Sequence, residues 1–258
     1  MNEKDQNGEF PLLKACTNNN MEMIRLLINY VNKNKTILEL NEKNKNNIYP
    51  VLLACNNNNI EMLRLFINYA NKNKILLEMN QENEDGSYPI LLACSNNNID
   101  MAKLLIDYVN KNKIKLELNV KDKYGKYPLI EAFSNNNIEM VQLLINYANK
   151  NKIILKLNEV NKKGNYLILL GFKKINSEMI NLLMEYSKAK NIVLNLNEND
   201  LKNISEISDE MIELLIKYEN NINITYENNS ELLKRMNMVK KSKKELREEK
   251  EKKISKKI

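Results

Sequence analysis

The sequence predicts an all-α protein built as a helical repeat solenoid, and three observations predict it. Pro11, Pro50, Pro89 and Pro128 lie 39 residues apart, with Leu167 at the next step. Ala15, Ala54, Ala93, Ala132 and Gly171 keep that interval, as do Met23, Met62, Met101, Met140 and Met179, and Tyr30, Tyr69, Tyr108, Tyr147 and Tyr186. Within a unit, Met101, Leu104, Leu105 and Tyr108 fall at i, i+3, i+4 and i+7, one apolar face of a helix. A fixed period of roughly 20 to 50 residues marks stacked small units, which grow one at a time and share no single round core.

Each unit opens on a short helix. Proline suits the first helical position, where its missing N–H would be unpaired anyway, so Pro89 starts the segment that runs through Ala93 and Cys94. Asn96, Asn97 and Asn98 end it: Asn tolerates left-handed backbone angles and caps a following helix, so the triplet predicts a turn plus an N-cap. Asp100, like Glu22, Glu61 and Glu139, then places a carboxylate where the helix dipole favours it. The second helix is predicted to reach about Asn112. Ile114, Leu116 and Leu118 alternate with polar residues, an extended piece with one buried side. The polar run from Asn119 to Lys126, with Gly125, reads as a hairpin-like turn before the next proline.

This order, Gly-x-aromatic-Pro-Leu-x-x-Ala, a short turn, then Glu-Met-x-x-Leu-Leu, resembles the ankyrin repeat. Pro89, Ala93, Asp100, Leu104 and Leu105 match that pattern, Gly86 stands at the hairpin glycine and Asn97 at the inter-helix glycine. The resemblance is strong over residues 5–199 and weak to about 224. Three departures accompany it. The family's Thr before proline is Tyr49, Tyr88, Tyr127 or Tyr166, with Phe10 first; its His two residues after proline is Leu13, Leu52, Leu91, Ile130 or Leu169. Packing therefore replaces the family's Thr–His hydrogen bond. The unit is also six residues longer than the family's usual one, with the excess after the second helix's Leu-Leu, which predicts a helix extended by one to two turns. Tetratricopeptide and HEAT arrays match less well: the first needs a Trp/Gly/Tyr pattern and this chain has no Trp, and the second lacks the proline motif and hairpin glycine.

A sixth unit is abbreviated. ISDEMIELLIKY from Ile207 copies INSEMINLLMEY from Ile175 after only 32 residues, the loss falling in the first helix and leaving DLKNISE as a stub. The expected organisation is five repeats over 1–199, a shortened sixth or cap over 200–229, and a charged basic tail over 230–258. In that tail Leu232, Leu233, Met236 and Val239 are the last apolar cluster, predicting a docked turn or two followed by a solvated helix or disorder.

The net charge of +7 is unevenly placed. From Lys234 onward there are 12 basic and 4 acidic residues, so the tail carries +8 and the rest −1. Asn is the most conspicuous residue, 49 of 258, and reads mainly as A/T-rich base composition rather than chemistry. The polar N-terminus lacks a signal-peptide core and no apolar run approaches the ~18 residues of a membrane span, so the expectation is a soluble monomer in the cytoplasm or nucleus, without a membrane partner.

Catalysis is not expected. The chain has no His, the commonest general base, and its five glycines all belong to the repeat frame rather than to a phosphate-cradling loop. Cys16, Cys55 and Cys94 follow the helix-one alanine, at a position later filled by Phe133 and Phe172, so they read as buried packing thiols. Neighbouring units should sit about 10 Å apart, beyond the ~7 Å reach of a disulfide, and zinc would need a fuller ligand set. No cofactor or metal is expected. The Met and Tyr rows read as core ladders.

The hairpin tips vary most between units. The resemblance implies that such tips, with the first-helix face, line a concave surface that binds a partner protein. Carried over, the candidate residues are Glu9; Lys45 and exposed Ile48; Glu84, Asp85 and Ser87; Lys123, Tyr124 and Lys126; and Lys162 and Lys163. They give an acidic third unit beside basic fourth and fifth units, with Ile48 and Tyr124 as apolar contacts. The variation has two readings, partner selection or drift that solvent tolerates. A different class of function rests on the tail: KKSKK at Lys240–Lys244 fits nuclear targeting or polyanion binding, and equally a solvated helix laced by i, i+4 pairs such as Glu248–Lys252 and Glu249–Lys253. The tail has no aromatic residue on which bases could stack.

Overall fold

The computed structural model describes residues 3–202, 204, 207–228 and 230–255, with side chains as far as Glu249 in the last helix. The chain divides into two compact units, Met1–Leu155 and Lys156–Ile258. No described helix is long and apolar enough to cross a membrane.

The first unit holds four repeats, each a short helix followed by a long one: α1 Pro11–Thr17 and α2 Met21–Lys33; α3 Pro50–Asn56 and α4 Ile60–Asn73; α5 Pro89–Ser95 and α6 Ile99–Asn112; α7 Pro128–Ser134 and α8 Ile138–Lys150. Every short helix begins at the predicted proline, after an extended aromatic residue. Between the helices Asn19, Asn58, Asn97 and Asn136 take left-handed angles. The next asparagine caps the long helix, its side-chain oxygen accepting the N–H of Met23, Met62, Met101 or Met140 at 2.8–2.9 Å. The long helices have 13 or 14 residues, as the longer unit predicts. The extended pieces follow, with Leu116 and Leu118 buried as their alternation requires.

Short helices pack on short helices and long on long, α3 on α5 on α7 and α4 on α6 on α8. Leu52, Leu91, Ile130 and the three cysteines are buried between them, and Tyr49, Tyr88 and Tyr127 are the largest fully buried side chains. Burial pushes each thiol's pKa up.

Two sequence expectations are corrected here. The Met and Tyr rows are core ladders in the second to fourth repeats, but Met23 is 43% and Tyr30 56% exposed. The reason is direction. Tyr69, Tyr108 and Tyr147 each reach back one repeat, where the hydroxyl accepts the buried N–H of Leu38, Leu77 or Leu116, and Tyr30 makes no such bridge among the described residues. Asparagine, read mainly as base composition, also carries recurrent structural contacts. The Asn41 side chain donates to the Leu76 carbonyl at 2.7 Å and accepts the Glu78 N–H at 3.1 Å, clamping the next repeat's extended backbone at both groups. Asn80 does the same to Lys115 and Glu117. A second ladder joins Asn57, Asn96 and Asn135 to the carbonyls of Cys16, Cys55 and Cys94 in the preceding repeat.

The second unit begins with a fifth repeat, α9 Leu167–Lys173 and α10 Ser177–Ala189. Gly171 replaces the usual Ala because a Cβ there would lie 2.6 Å from Ile180 Cγ1. The extended piece becomes strand β1, Leu194–Asn197, paired in parallel with β2, Ile222–Thr225, so that the otherwise helical chain carries a two-stranded sheet. Between them lies α11, Asp209–Lys217, the copied helix of the sixth unit; part of the DLKNISE stub lies outside the described residues. The last helix, α12 Glu231–Ser255, packs on α11 and buries Leu232 and Met236, whereas Leu233 is exposed. Glu198 anchors it: burial raises that carboxyl's pKa, but the Glu227 N–H, Ser230 hydroxyl and Leu232 N–H outweigh burial and hold it below its ordinary value.

Candidate functional site

The hairpins of the first unit are four copies of one device carrying different tips. Asp5, Asn44, Asn83 and Asp122 each fold back so that one side-chain oxygen accepts the N–H groups two and four residues on, at 2.8–3.0 Å. The tip then turns through a left-handed residue, Gly8, Asn47, Gly86 or Gly125. Neighbouring hairpins are joined through the backbone: the Lys45 N–H donates to Asn7, Glu84 to Asn46 and Lys123 to Asp85. At Gly86 this approach is close enough that a Cβ would meet the Asp122 Cα at 2.8 Å. The same side-chain turn recurs at Asn161 in the second unit. The sequence contained this signal as an Asp/Asn at a 39-residue interval, Asp5 to Asn161.

On this frame Lys45, Glu84, Lys123 and Tyr124 are exposed, Tyr124 at 51%. Asp85, Ser87, Lys126 and Glu9 are half-buried, and so is Ile48, which the sequence reading had exposed. The reason lies in the hairpin: the Ile48 N–H is held by Asn44 directly before the buried Tyr49, leaving little room to project. Glu9 accepts from the Asn44 side chain at 2.6 Å. The acidic third tip and basic fourth tip neutralise each other at their junction, where Lys123 pairs with Asp85 and lies 5.0 Å from the Tyr124 ring. The Asp85 carboxylate, and then the Tyr124 hydroxyl, hold the Lys123 ammonium's pKa above its ordinary value. In the second unit Lys162 and Lys163 are exposed.

The inner wall below the tips runs along one position of the short helices. Lys14 pairs with Asp5 at 2.7 Å. Leu53 is nearly buried and Leu92 half-buried. Glu131, 8% exposed, takes Lys126 at 3.2 Å. Ion pairs thus stand at the first and fourth positions of this row and leucines at the second and third. Among the described residues no group of His, Cys, Asp and Glu could hold a metal.

In the second unit the basic stretch of α12 turns much of its charge onto that unit's own acids: Arg235 pairs with Asp209, Lys240 with Glu219 and Lys243 with Glu213. Along the helix Lys241–Glu245 and Lys244–Glu248 stand at 3.9 Å. The pairs expected with Lys252 and Lys253 lie outside the described side chains.

A family model for ankyrin repeats matches three times, over residues 1–73, 36–113 and 71–154, together more than half of the chain. Among solved structures, an ankyrin repeat domain from Acinetobacter baumannii AYE aligns at a TM-score of 0.54 and 18% identity, covering 72% of this chain and 85% of that one. A second ankyrin repeat protein aligns at a TM-score of 0.51 and 18% identity, covering 68% and 80% respectively. At such identity the likeness is one of fold. No curated protein matches the sequence.

Proposed function

This chain belongs to the ankyrin-repeat family, whose repeats generally serve protein–protein interaction, and from that premise we propose that it is a non-catalytic binding protein that recognises a partner protein on the hairpin row and inner wall of residues 5–134. One observation carries the reading. The four hairpins share a single rigid construction, tied tip to tip by backbone hydrogen bonds, yet present Lys45, Glu84 and Tyr124 at the crest. A preorganised frame lowers the ordering cost of association, so tip chemistry can select the partner. Tyr124 is the anchor, since an exposed, partly propped aromatic contributes most where it becomes buried. In the second unit Lys162 and Lys163 are candidate contacts of that unit's own hairpin.

The test is capture from lysate on the immobilised chain, with Glu84→Ala/Tyr124→Ala and Lys241→Gln/Lys244→Gln variants alongside. Partner retention should fall at least about tenfold with the hairpin variant and stay unchanged with the α12 variant. Retention that follows α12 instead, with nucleic acid in the eluate, replaces this reading with polyanion binding by the last helix.

A further inference from the structure

A second feature of the first unit lies outside the hairpins. Each long helix ends in the motif Asn-Lys-Asn-Lys, placing Lys33 and Lys35 in the first repeat and their counterparts, at 39-residue steps, up to Lys150 and Lys152 in the fourth. All eight lysines are exposed, and among the described residues none of their ammonium groups has an acidic partner. Directly after them the extended pieces expose Ile37 (51%), Leu76 (57%) and Ile154 (64%), with Lys115 at the same position in the third repeat. The nearest carboxylates along the chain are Glu39, Glu78, Asp107, Glu117 and Glu159, with Glu78 held by Lys43 at 3.5 Å, so five acids stand against the eight lysines and Lys115 and the edge keeps a positive excess. The near-neutral total for the repeats conceals this segregation.

The backbone supplies an independent observation. Lys35, Lys74, Lys113 and Lys152 all sit at left-handed angles, φ +54 to +59°. Asn or Gly fits that conformation with less strain, and this unit uses Asn at every left-handed inter-helix turn. Lysine is thus placed four times where a less strained residue is otherwise the rule. Its charge also suits a helix C-terminus, but Lys33, Lys72, Lys111 and Lys150 in the last turns already supply that.

We propose that this lysine–aliphatic edge of the first unit docks on an anionic lipid surface. Lysines attract acidic headgroups, and exposed aliphatic side chains beside them enter the boundary between headgroups and acyl chains. A nucleic acid would use the lysines and leave Ile37, Leu76 and Ile154 without a role, and beside the lysines a single exposed ring, Tyr30, stands where successive bases would need a row of them. The contact is peripheral and requires no spanning segment.

Flotation of the full chain with vesicles of phosphatidylcholine, with and without phosphatidylserine, tests it. Association should require phosphatidylserine and be released by high salt. The quadruple variant K35N/K74N/K113N/K152N relaxes four left-handed positions while removing four charges. It should melt no lower than the parent and bind at least about tenfold more weakly. I37S/L76S/I154S should also weaken binding about tenfold, and K241Q/K244Q in α12 should leave it unchanged. Equal binding to both vesicle types overturns the proposal, as does undiminished binding by the asparagine variant. Loss of binding in the α12 variant overturns it too, as does duplex DNA held as tightly as the vesicles by both the parent and the serine variant.

Discussion

Replacing Tyr108 by phenylalanine removes one oxygen from the repeat interface. That oxygen accepts the N–H of Leu77 at 2.8 Å, and Leu77 is 1% exposed, so water cannot take its place. An orphaned buried N–H costs about 1–3 kcal/mol, because the donor loses its partner and stays desolvated. For a chain of this size each kcal/mol lowers Tm by roughly 2–4 °C, so the expected loss is about 2–12 °C. Tyr30→Phe is the matched control: the same residue at the same repeat position, 56% exposed. It should shift stability by no more than ~0.5 kcal/mol. Thermal and urea melts of the two variants against the parent decide the matter. Equal effects, or a Tyr108→Phe variant as stable as the parent, would refute the claim that this hydroxyl ties one repeat to the one before it.

Other consequences follow from the same contacts. Gly86→Ala should destabilise more than Gly164→Ala: both need φ near +75°, but only at residue 86 does the added Cβ meet backbone, 2.8 Å from Asp122 Cα, and melts of the two variants compare them. A thiol reagent should label none of Cys16, Cys55 and Cys94 in the folded chain, since burial raises every thiol pKa, and all three after denaturation. Glu198 has a folded pKa held below its ordinary value, so its contribution is present at neutral pH and is lost as pH falls through that lowered value. Protection factors at the start of α12, which remove the intrinsic slowing of exchange in acid, should therefore fall on acidification, and Glu198→Ala should lower them already at pH 7.

How far the sequence discloses this structure depends on whether a contact respects the repeat. Positions fixed inside a unit were readable: the proline starts, the Asn caps on Met N–H groups and the alternating burial of Leu116 and Leu118 all follow from local chemistry. Of the two tip residues read as exposed, Tyr124 is exposed and Ile48 is half-buried, because its neighbours on the hairpin are fixed only once Asn44 has folded back. Contacts that cross between units were not readable. The Asn80 clamp spans 35 and 37 residues, the Tyr108 bridge 31 backward and the Asn96 ladder 41 backward. None of these equals the period, so inspection of aligned columns finds conserved letters without showing which column touches which. Abundant asparagine then looks like composition, although Asn41 and Asn80 each meet a backbone donor and a carbonyl, and Asn57, Asn96 and Asn135 a carbonyl, at separations that only stacking defines.

The same geometry sets apart the repeats in which a clamp is missing. A repeat satisfies its neighbour's backbone as well as its own, so each clamp has a giver and a receiver. At the start, Tyr30 has the hydroxyl and no described N–H to accept, and its ring is exposed. Toward the other end Asn197, which falls 39 residues after Asn158, does not clamp a following strand; it caps a short turn at Asn199, while β1 and β2 pair through the backbone itself. Glu198 beside it accepts the Glu227 N–H, the Ser230 hydroxyl and the Leu232 N–H, fixing the entry to α12, a helix of different sequence that packs on α11. On α11 that helix packs with Arg235 paired to Asp209 and Lys243 to Glu213, and Lys240 reaches Glu219 just beyond, so part of its basic charge is met by acids of its own unit.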